Sequence, residues 1–326
     1  MRKVLALLVV LVMVAGLIAG CGGGGDKKQA APAKPTQMIL ATGGTAGTYY
    51  PYGGAMAQIF NSKIPNMNVT AQATGASIEN LRLVNKKEAE LAIVQNDTMD
   101  YAYNGKEMFK EKLPNVRGIA ILYPEIIQVV VRTDSGINNV GELKGKKVGV
   151  GAPGSGTEAN FRQLIDAYGL DYKAMSPAYL SFAESSDQFK DKLIDGFIVT
   201  AGIPNSAIMD ISAQHSVKIL AIPDDMIAKL SQKYPFLTPF TIPAGTYKNQ
   251  TAPVKTVAVQ ATLIVSSEVK DDVVYNLTKA LFENQETLAK ANAKGKELNL
   301  QAAVKGMSIP LHPGAEKYFK EKGVIK

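Results

Sequence analysis

Short apolar runs alternate with amphipathic stretches from residue 38 to the end of the chain. Residues 38–42, 91–95, 147–150, 196–200 and 217–222 have the length and apolar character of buried strands. Two longer runs, 126–132 and 257–265, are rich in Val and Ile and predict longer strands. Between these runs the period changes to that of a helix. Phe161, Leu164, Ile165 and Tyr168 fall at i, i+3, i+4 and i+7 and predict a helix over 155–168. Val274, Leu277, Leu281 and Leu288 mark one face of a helix over 271–288, and shorter helices are predicted at 52–60 and 78–84. This alternation implies an α/β fold with largely parallel sheets and helices on both faces. Two such sets predict two lobes. The long strands then serve as crossovers, giving a discontinuous first lobe (37–125 plus 266–326) and a second lobe over 126–265.

The first 36 residues follow another pattern. Arg2 and Lys3 precede an apolar stretch from Val4 to Gly20, which ends in Leu17-Ile18-Ala19-Gly20-Cys21. A charged start, an apolar run and small residues before a cysteine describe a lipoprotein signal. The expectation is a signal peptide at 1–20, acylation of Cys21 and extracytoplasmic anchoring at a cell surface or in a periplasm. An ordinary signal or a single anchor helix is the plainer alternative. Residues 21–36, with Gly22 to Gly25 and Ala30 to Pro35, read as a flexible tether.

Composition narrows the chemistry. Cys21 is the single cysteine, so beyond it no disulfide, zinc–thiolate site or cysteine nucleophile is available. Two histidines, His215 and His312, do not form a metal-ligand pattern. Lys and Arg total 36 against 29 acids. Removing Arg2 and Lys3 leaves 34 − 29, a surplus of 5 that is scattered as single lysines rather than a stripe with interleaved aromatics. Nucleic-acid binding is therefore not expected.

Candidate chemistry gathers at strand-to-helix junctions. These are Thr42-Gly43-Gly44-Thr45-Ala46-Gly47-Thr48-Tyr49, Gln95-Asn96-Asp97, Gly151-Ala152-Pro153-Gly154-Ser155-Gly156-Thr157 and Thr200-Ala201-Gly202-Ile203-Pro204. In open α/β sheets ligands bind at the carboxyl ends of strands. Helix N-termini there offer unpaired N–H groups and a positive dipole end to an anion. Any one such loop serves equally well as a helix cap or tight turn; four together point to a clamp for a small anion or zwitterion. Gly149-Val150-Gly151-Ala152-Pro153-Gly154 has dinucleotide-binding spacing, but Pro153 sits where the helix must open. A serine hydrolase built on Ser155 or Thr157 would have only His215 or His312 as base, and its nucleophile elbow is incomplete.

The segments Ala41 to Pro51, Ile93-Val94-Gln95-Asn96-Asp97 and Gly154-Ser155-Gly156-Thr157-Glu158 resemble the TAXI family, the extracytoplasmic solute receptors of one branch of TRAP transporters. Ser181-Phe182-Ala183-Glu184 and Ile309 to Ala315 fit the same pattern. The resemblance implies a type II periplasmic-binding-protein fold that closes on ligand and delivers it to an ion-driven membrane permease, with glutamate, glutamine or a related small acid favoured. It implies no enzymatic activity, no cofactor and a monomer. Carried over, it places the ligand carboxylate against Thr45, Gly47, Thr48 and Tyr49, with Gln95 and Asn96 beside it. Ser155, Gly156 and Thr157 complete the grip, and Ala201 and Gly202 line the wall. Asp97 is a candidate for a ligand ammonium or for capping its own helix, and Arg132 for a ligand or a structural contact. The His312-Pro313-Gly314 turn reads as structural. A sensor that presents its closed form to a signalling partner would share the same fold and cleft.

Overall fold

The computed structural model describes residues 35–326, so the signal segment, Cys21 and most of the tether lie outside the described residues. Ten strands join into one sheet. They are β1 (Thr36–Ala41), β2 (Met67–Gln72), β3 (Leu91–Gln95), β4 (Val116–Arg132), β5 (Lys147–Gly149), β6 (Ser176–Ala178), β7 (Gly196–Ala201), β8 (Val217–Ile219), β9 (Thr238–Ile242) and β10 (Val254–Ser266). The helices are α1 (Tyr49–Lys63), α2 (Ser77–Asn85), α3 (Asn96–Asn104), α4 (Gly156–Ala167), α5 (Phe182–Lys190), α6 (Ser206–Gln214), α7 (Asp224–Lys233), α8 (Asp271–Glu283), α9 (Gln285–Ala291) and α10 (Pro313–Glu321). Among the described residues no helix is long and apolar enough to cross a membrane.

The strand order is β2-β1-β3-β10-β4-β7-β5-β6, with β8 beside β4 and β9 beside β10. The largely parallel sheet expected from the alternation holds only at the flanks: β1 runs parallel to β2 and β3, and β5 runs parallel to β6 and β7. Every strand-to-strand pairing that involves β4 or β10 is antiparallel. The reason is that both central strands traverse from one lobe to the other. β4 pairs with β10 from Val116 to Ile126, then takes up β7 from Ile126 to Val131. β10 pairs with β9 over Val254–Ala258 and with β3 over Ala261–Val265. The two changeovers lie side by side, since Glu125 is opposite Val259 and Pro124 opposite Gln260.

Apolar side chains fill both faces of the sheet in each lobe. In the first, Tyr52, Met56 and Phe60 of α1 pack with Leu277 and Leu281 of α8 and Phe319 of α10. Leu81, Val84 and Met99 cover the opposite face. In the second lobe Phe161 and Leu164 of α4 meet Ile198 and Leu230 on one face, while Phe189, Phe197 and Ile208 fill the other. Each such fully buried side chain contributes about 1.5–3 kcal/mol relative to exposure. Helix starts follow local capping chemistry. The Ser181 hydroxyl accepts from the Glu184 N–H while the Glu184 carboxylate accepts from the Ser181 N–H, a reciprocal box that opens α5. His312 caps α10, its Nδ1 accepting from the Gly314 N–H at 3.2 Å with Pro313 at the first helical position, which fits the structural reading of that turn.

Two further sequence expectations differ from the structure. The helix predicted over 271–288 is broken at Asn284, whose side-chain amide donates to the Ala280 carbonyl at 2.8 Å and competes with the helical ladder. Val274, Leu277, Leu281 and Leu288 are nonetheless all fully buried. The strand predicted at 126–132 begins ten residues earlier, at Val116.

Candidate functional site

A cavity of about 70 Å³ lies at the carboxyl ends of the strands, walled by both lobes. That is several times the roughly 10–15 Å³ a cavity needs to admit one water, which leaves room for a small molecule. Hydrogen bonds join the lobes around it. The Gly154 carbonyl accepts from the Ile78 N–H at 3.1 Å and the Glu79 N–H at 3.2 Å. The Ala46 carbonyl accepts from Asn205 Nδ2 at 3.2 Å and Ser206 Oγ at 2.9 Å. The cleft is therefore shut in this conformation.

Three helices begin at the cavity wall: α1 after Thr48, α2 after Ala76 and α4 after Ser155. At α1 and α4 first-turn N–H groups have no acceptor within the helix, whereas at α2 the Ile78 and Glu79 N–H groups are taken by the Gly154 carbonyl; the dipoles of all three put positive potential there. At α4 the Ser155 hydroxyl accepts from the Glu158 N–H at 3.2 Å, leaving Gly156 and Thr157 as the first-turn residues that line the cavity. Thr48 stands at the start of α1 and makes no side-chain capping bond, so its hydroxyl is not committed to the helix. Gly156 permits a close approach. A Cβ there would sit 1.8 Å from Gln95 Oε1 and 3.1 Å from Ser77 Oγ, so a side chain would either push the Gln95 amide from the wall or hold the lobes apart.

Gln95 and Thr200 provide direct polar atoms. Gln95 is 2 % exposed and its Oε1 has no protein hydrogen-bond partner; Thr200 is 4 % exposed and its Oγ1 also has none. Both line the cavity. Leaving a buried polar atom unpaired costs about 1–3 kcal/mol, so two in one cavity wall mark a place that a bound molecule completes. Phe182 adds an apolar wall.

Among the described residues the cavity wall carries a single carboxyl group, Glu125, and no Lys, Arg or His. Glu125 is 2 % exposed, at the changeover of β4, and the Tyr49 hydroxyl donates to its Oε2 at 2.6 Å. Burial pushes the Glu125 carboxyl up to about 8, against the opposing pull of the Tyr49 hydrogen bond and with added repulsion from Asp97. Burial and the nearby Glu125 charge likewise hold the Tyr49 hydroxyl well above its usual range, so it stays a donor.

Of the residues expected at the site, Gly47, Thr48, Tyr49, Gln95, Ser155, Gly156, Thr157 and Ala201 lie together in this wall. Three do not. Thr45 is exposed on the loop outside the cavity. The Asn96 side chain turns away, its Oδ1 accepting from the Gln260 N–H of β10 at 2.9 Å. Gly202 faces Lys294, whose Cε lies 2.8 Å from where a Cβ would be. Asp97 does not face the cavity either. It accepts from the Thr98 N–H and from Asn160 Nδ2 at 2.9 Å, and burial raises its carboxyl to about 6. Arg132 donates to the Phe189 and Ile194 carbonyls and lies over the Phe189 ring, a structural role. Neither His215 nor His312 lines the cavity, so Ser155 has no histidine partner there.

The sequence reading missed Glu125 and the Thr74-Gly75-Ala76-Ser77 turn, both in the wall. The turn follows β2, a strand the pattern did not predict. Ala76 adopts φ 73°, a conformation that favours glycine, and the turn carries Ser77 to the cavity. Small and polar residues after an alternating Met67–Gln72 stretch were its signal. Glu125 was signalled only as a lone acid within a long apolar run.

The fold has many solved counterparts. A structure of a periplasmic transporter matches with 14 % identity, 90 % of this chain, 95 % of that one and a TM-score of 0.53. The alkanesulfonate-binding protein from Xanthomonas axonopodis pv. citri, bound to MOPS, matches at 14 % identity, 88 % and 84 % coverage and 0.50. The GluR0 ligand-binding core from Nostoc punctiforme, in complex with L-glutamate, matches at 12 % identity, 79 % and 98 % coverage and 0.50. At these identities the likeness is one of fold, the two-lobed type II arrangement. The sequence adds the family: residues 40–323 match, and the chain belongs to the NMT1-like family.

Proposed function

We propose that this chain is an extracytoplasmic solute receptor that closes on a small carboxylate-bearing ligand and delivers it to a membrane permease of the TRAP type. The observation that carries the reading is the shut interlobe cavity with Gln95 Oε1 and Thr200 Oγ1 unpaired in its wall. Helix N-termini at Tyr49 and Gly156 supply donors for a carboxylate, with the α2 dipole behind Ser77, in a wall that carries no cationic side chain among the described residues. Bound carboxylate would lie against Gly47, Thr48, Ser155, Gly156 and Thr157, with Gln95, Ala201 and Thr200 beside it. The lobes of this receptor are 37–125 plus 266–326 and 126–265, hinged where β4 and β10 exchange neighbours. Acylation at Cys21 would keep it, as a monomer, near its permease. The TAXI-like loops support that assignment and favour a glutamine- or glutamate-like ligand.

Thermal unfolding against amino acids, oxo acids, sulfonates and sugars tests it. A ligand at one hundred times its dissociation constant adds about 2.7 kcal/mol, a readily measured rise in midpoint. The rise must vanish in Gln95→Ala. If no compound shifts the midpoint and mass spectrometry of denatured protein finds no co-purified small molecule, the receptor reading is wrong. Loss of uptake on deletion separates a transport receptor from a sensor.

A further inference from the structure

Opposite chemistries face each other in the cavity. Helix starts at Thr48, Ala76 and Ser155 create a wall suited to an anion. Glu125, at the crossing of β4, is the carboxyl in the lining, and Tyr49 occupies only its Oε2, leaving Oε1 for another partner. Gln95 Oε1 is a second acceptor without a donor. The unpaired groups are therefore Glu125 Oε1 and Gln95 Oε1 at one end of the cavity, and at the other the helix starts, which suit an anion. A dicarboxylate would bring a second carboxylate to the Glu125 end, with no cationic side chain among the described residues of the wall to offset it. A zwitterion matches both ends.

We propose that Glu125 receives the ammonium group of the ligand, so that this cavity selects free amino acids over oxo acids, dicarboxylates and sulfonates of similar skeleton. The inference rests on the receptor reading above. Without ligand, burial favours the protonated form of the Glu125 carboxyl at pH 7. Tyr49 from α1, Tyr123 on the same strand and Asp97 from α3 are the titratable groups that bear on it. When the zwitterion enters, that proton leaves to solvent. The ammonium then donates to the carboxylate so formed, and Tyr49 continues to donate to Oε2. One ion pair forms, one proton is released and no bond of the ligand changes.

Calorimetric titration of the full chain with each of the L-amino acids and with 2-oxoglutarate, glutarate and a propanesulfonate tests the proposal, run at pH 7 in two buffers of different ionisation heat. With the carboxyl near 8, an amino acid should release roughly 0.9 proton per molecule bound. The deaminated counterpart of the best amino acid should bind roughly 100-fold more weakly or worse. Glu125→Gln should abolish the release and weaken amino-acid binding by at least about 30-fold, while its urea midpoint at pH 5 stays that of the parent. An oxo acid or sulfonate that binds as tightly as any amino acid, with Gln95→Ala still impairing it, would overturn the ammonium assignment and leave the receptor reading standing. Tight amino-acid binding without proton release, or unchanged in Glu125→Gln, would overturn it equally. Binding of nothing in the panel, with no co-purified small molecule, would overturn both.

Discussion

Replacing Glu125 by Gln gives a sharp test of the site's electrostatics, since it removes the ionisable group and keeps an acceptor for the Tyr49 hydroxyl. In the folded chain the carboxyl is raised from 4.5 to about 8 by burial. Between those values the folded protein holds a proton that the unfolded chain has lost, so raising the pH favours unfolding. The difference, 8 − 4.5, at about 1.4 kcal/mol per tenfold change, amounts to about 5 kcal/mol lost by pH 9. Roughly 2.5 kcal/mol of it falls between pH 5 and pH 7. Urea unfolding of ligand-free parent and variant at pH 5, 6, 7 and 8 measures this directly, with equal slopes required for the comparison. Most other groups titrate alike in both proteins and cancel. The parent should lose stability relative to Glu125→Gln by about 2.5 kcal/mol from pH 5 to pH 7. Parallel curves, within about 0.5 kcal/mol over that range, would mean that the folded carboxyl is already ionised and would refute the reasoning.

Three further perturbations test other parts of the structure. Gly156→Val should weaken binding of any ligand by about tenfold or more, because its side chain would overlap Gln95 and either push that amide from the wall or keep the cleft from shutting; unchanged affinity would show that closure does not bring these residues together. Asp97→Asn should flatten the fall in stability between about pH 4 and 6, since burial raises the Asp97 carboxyl from 3.8 to about 6 and the folded state holds the extra proton there. Denaturation midpoints at pH 4, 5 and 6 read this, and a slope identical to the parent's would contradict it. His312→Ala should cost about 1 kcal/mol through loss of the α10 cap, with His312→Asn recovering part of it because Asn also accepts from the Gly314 N–H.

Periodicity made most of the fold legible. Leu91–Gln95 alternates with neither helix nor surface, and it forms a strand buried at every position. Phe161, Leu164 and Ile165 set the buried face of α4 where the i, i+3, i+4 spacing put it. The pattern failed where burial is one-sided or interrupted. In β2, Asn68 and Thr70 face solvent at the sheet edge and dilute the apolar signal. In β4, Gly118 and Pro124-Glu125 break the run, and proline argues against a central strand. The structure accommodates Pro124 because β7 joins the strand only at Ile126. At the site, loop composition located the helix starts but not side-chain direction. Gln95 and Asn96 are neighbours, yet one enters the cavity and the other binds the β10 backbone.

Placing Glu125 at the changeover of the crossing strand links the charge of the ligand to closure. A carboxyl buried there without a cation favours its protonated form, so the empty shut state is least stable at high pH. An amino acid bound as proposed would supply the missing charge and remove that penalty. Two consequences follow with opposite signs. The ligand-free protein loses stability as the pH rises toward 8, while the liganded one does not, because its carboxylate is paired. Affinity for the amino acid must then rise with pH by up to tenfold per unit below about 8, since binding releases the proton. Titrations at pH 6 and 7 should therefore differ by nearly tenfold in the parent and by little in Glu125→Gln. Equal pH dependence in the two would place the titrating group elsewhere and detach closure from Glu125.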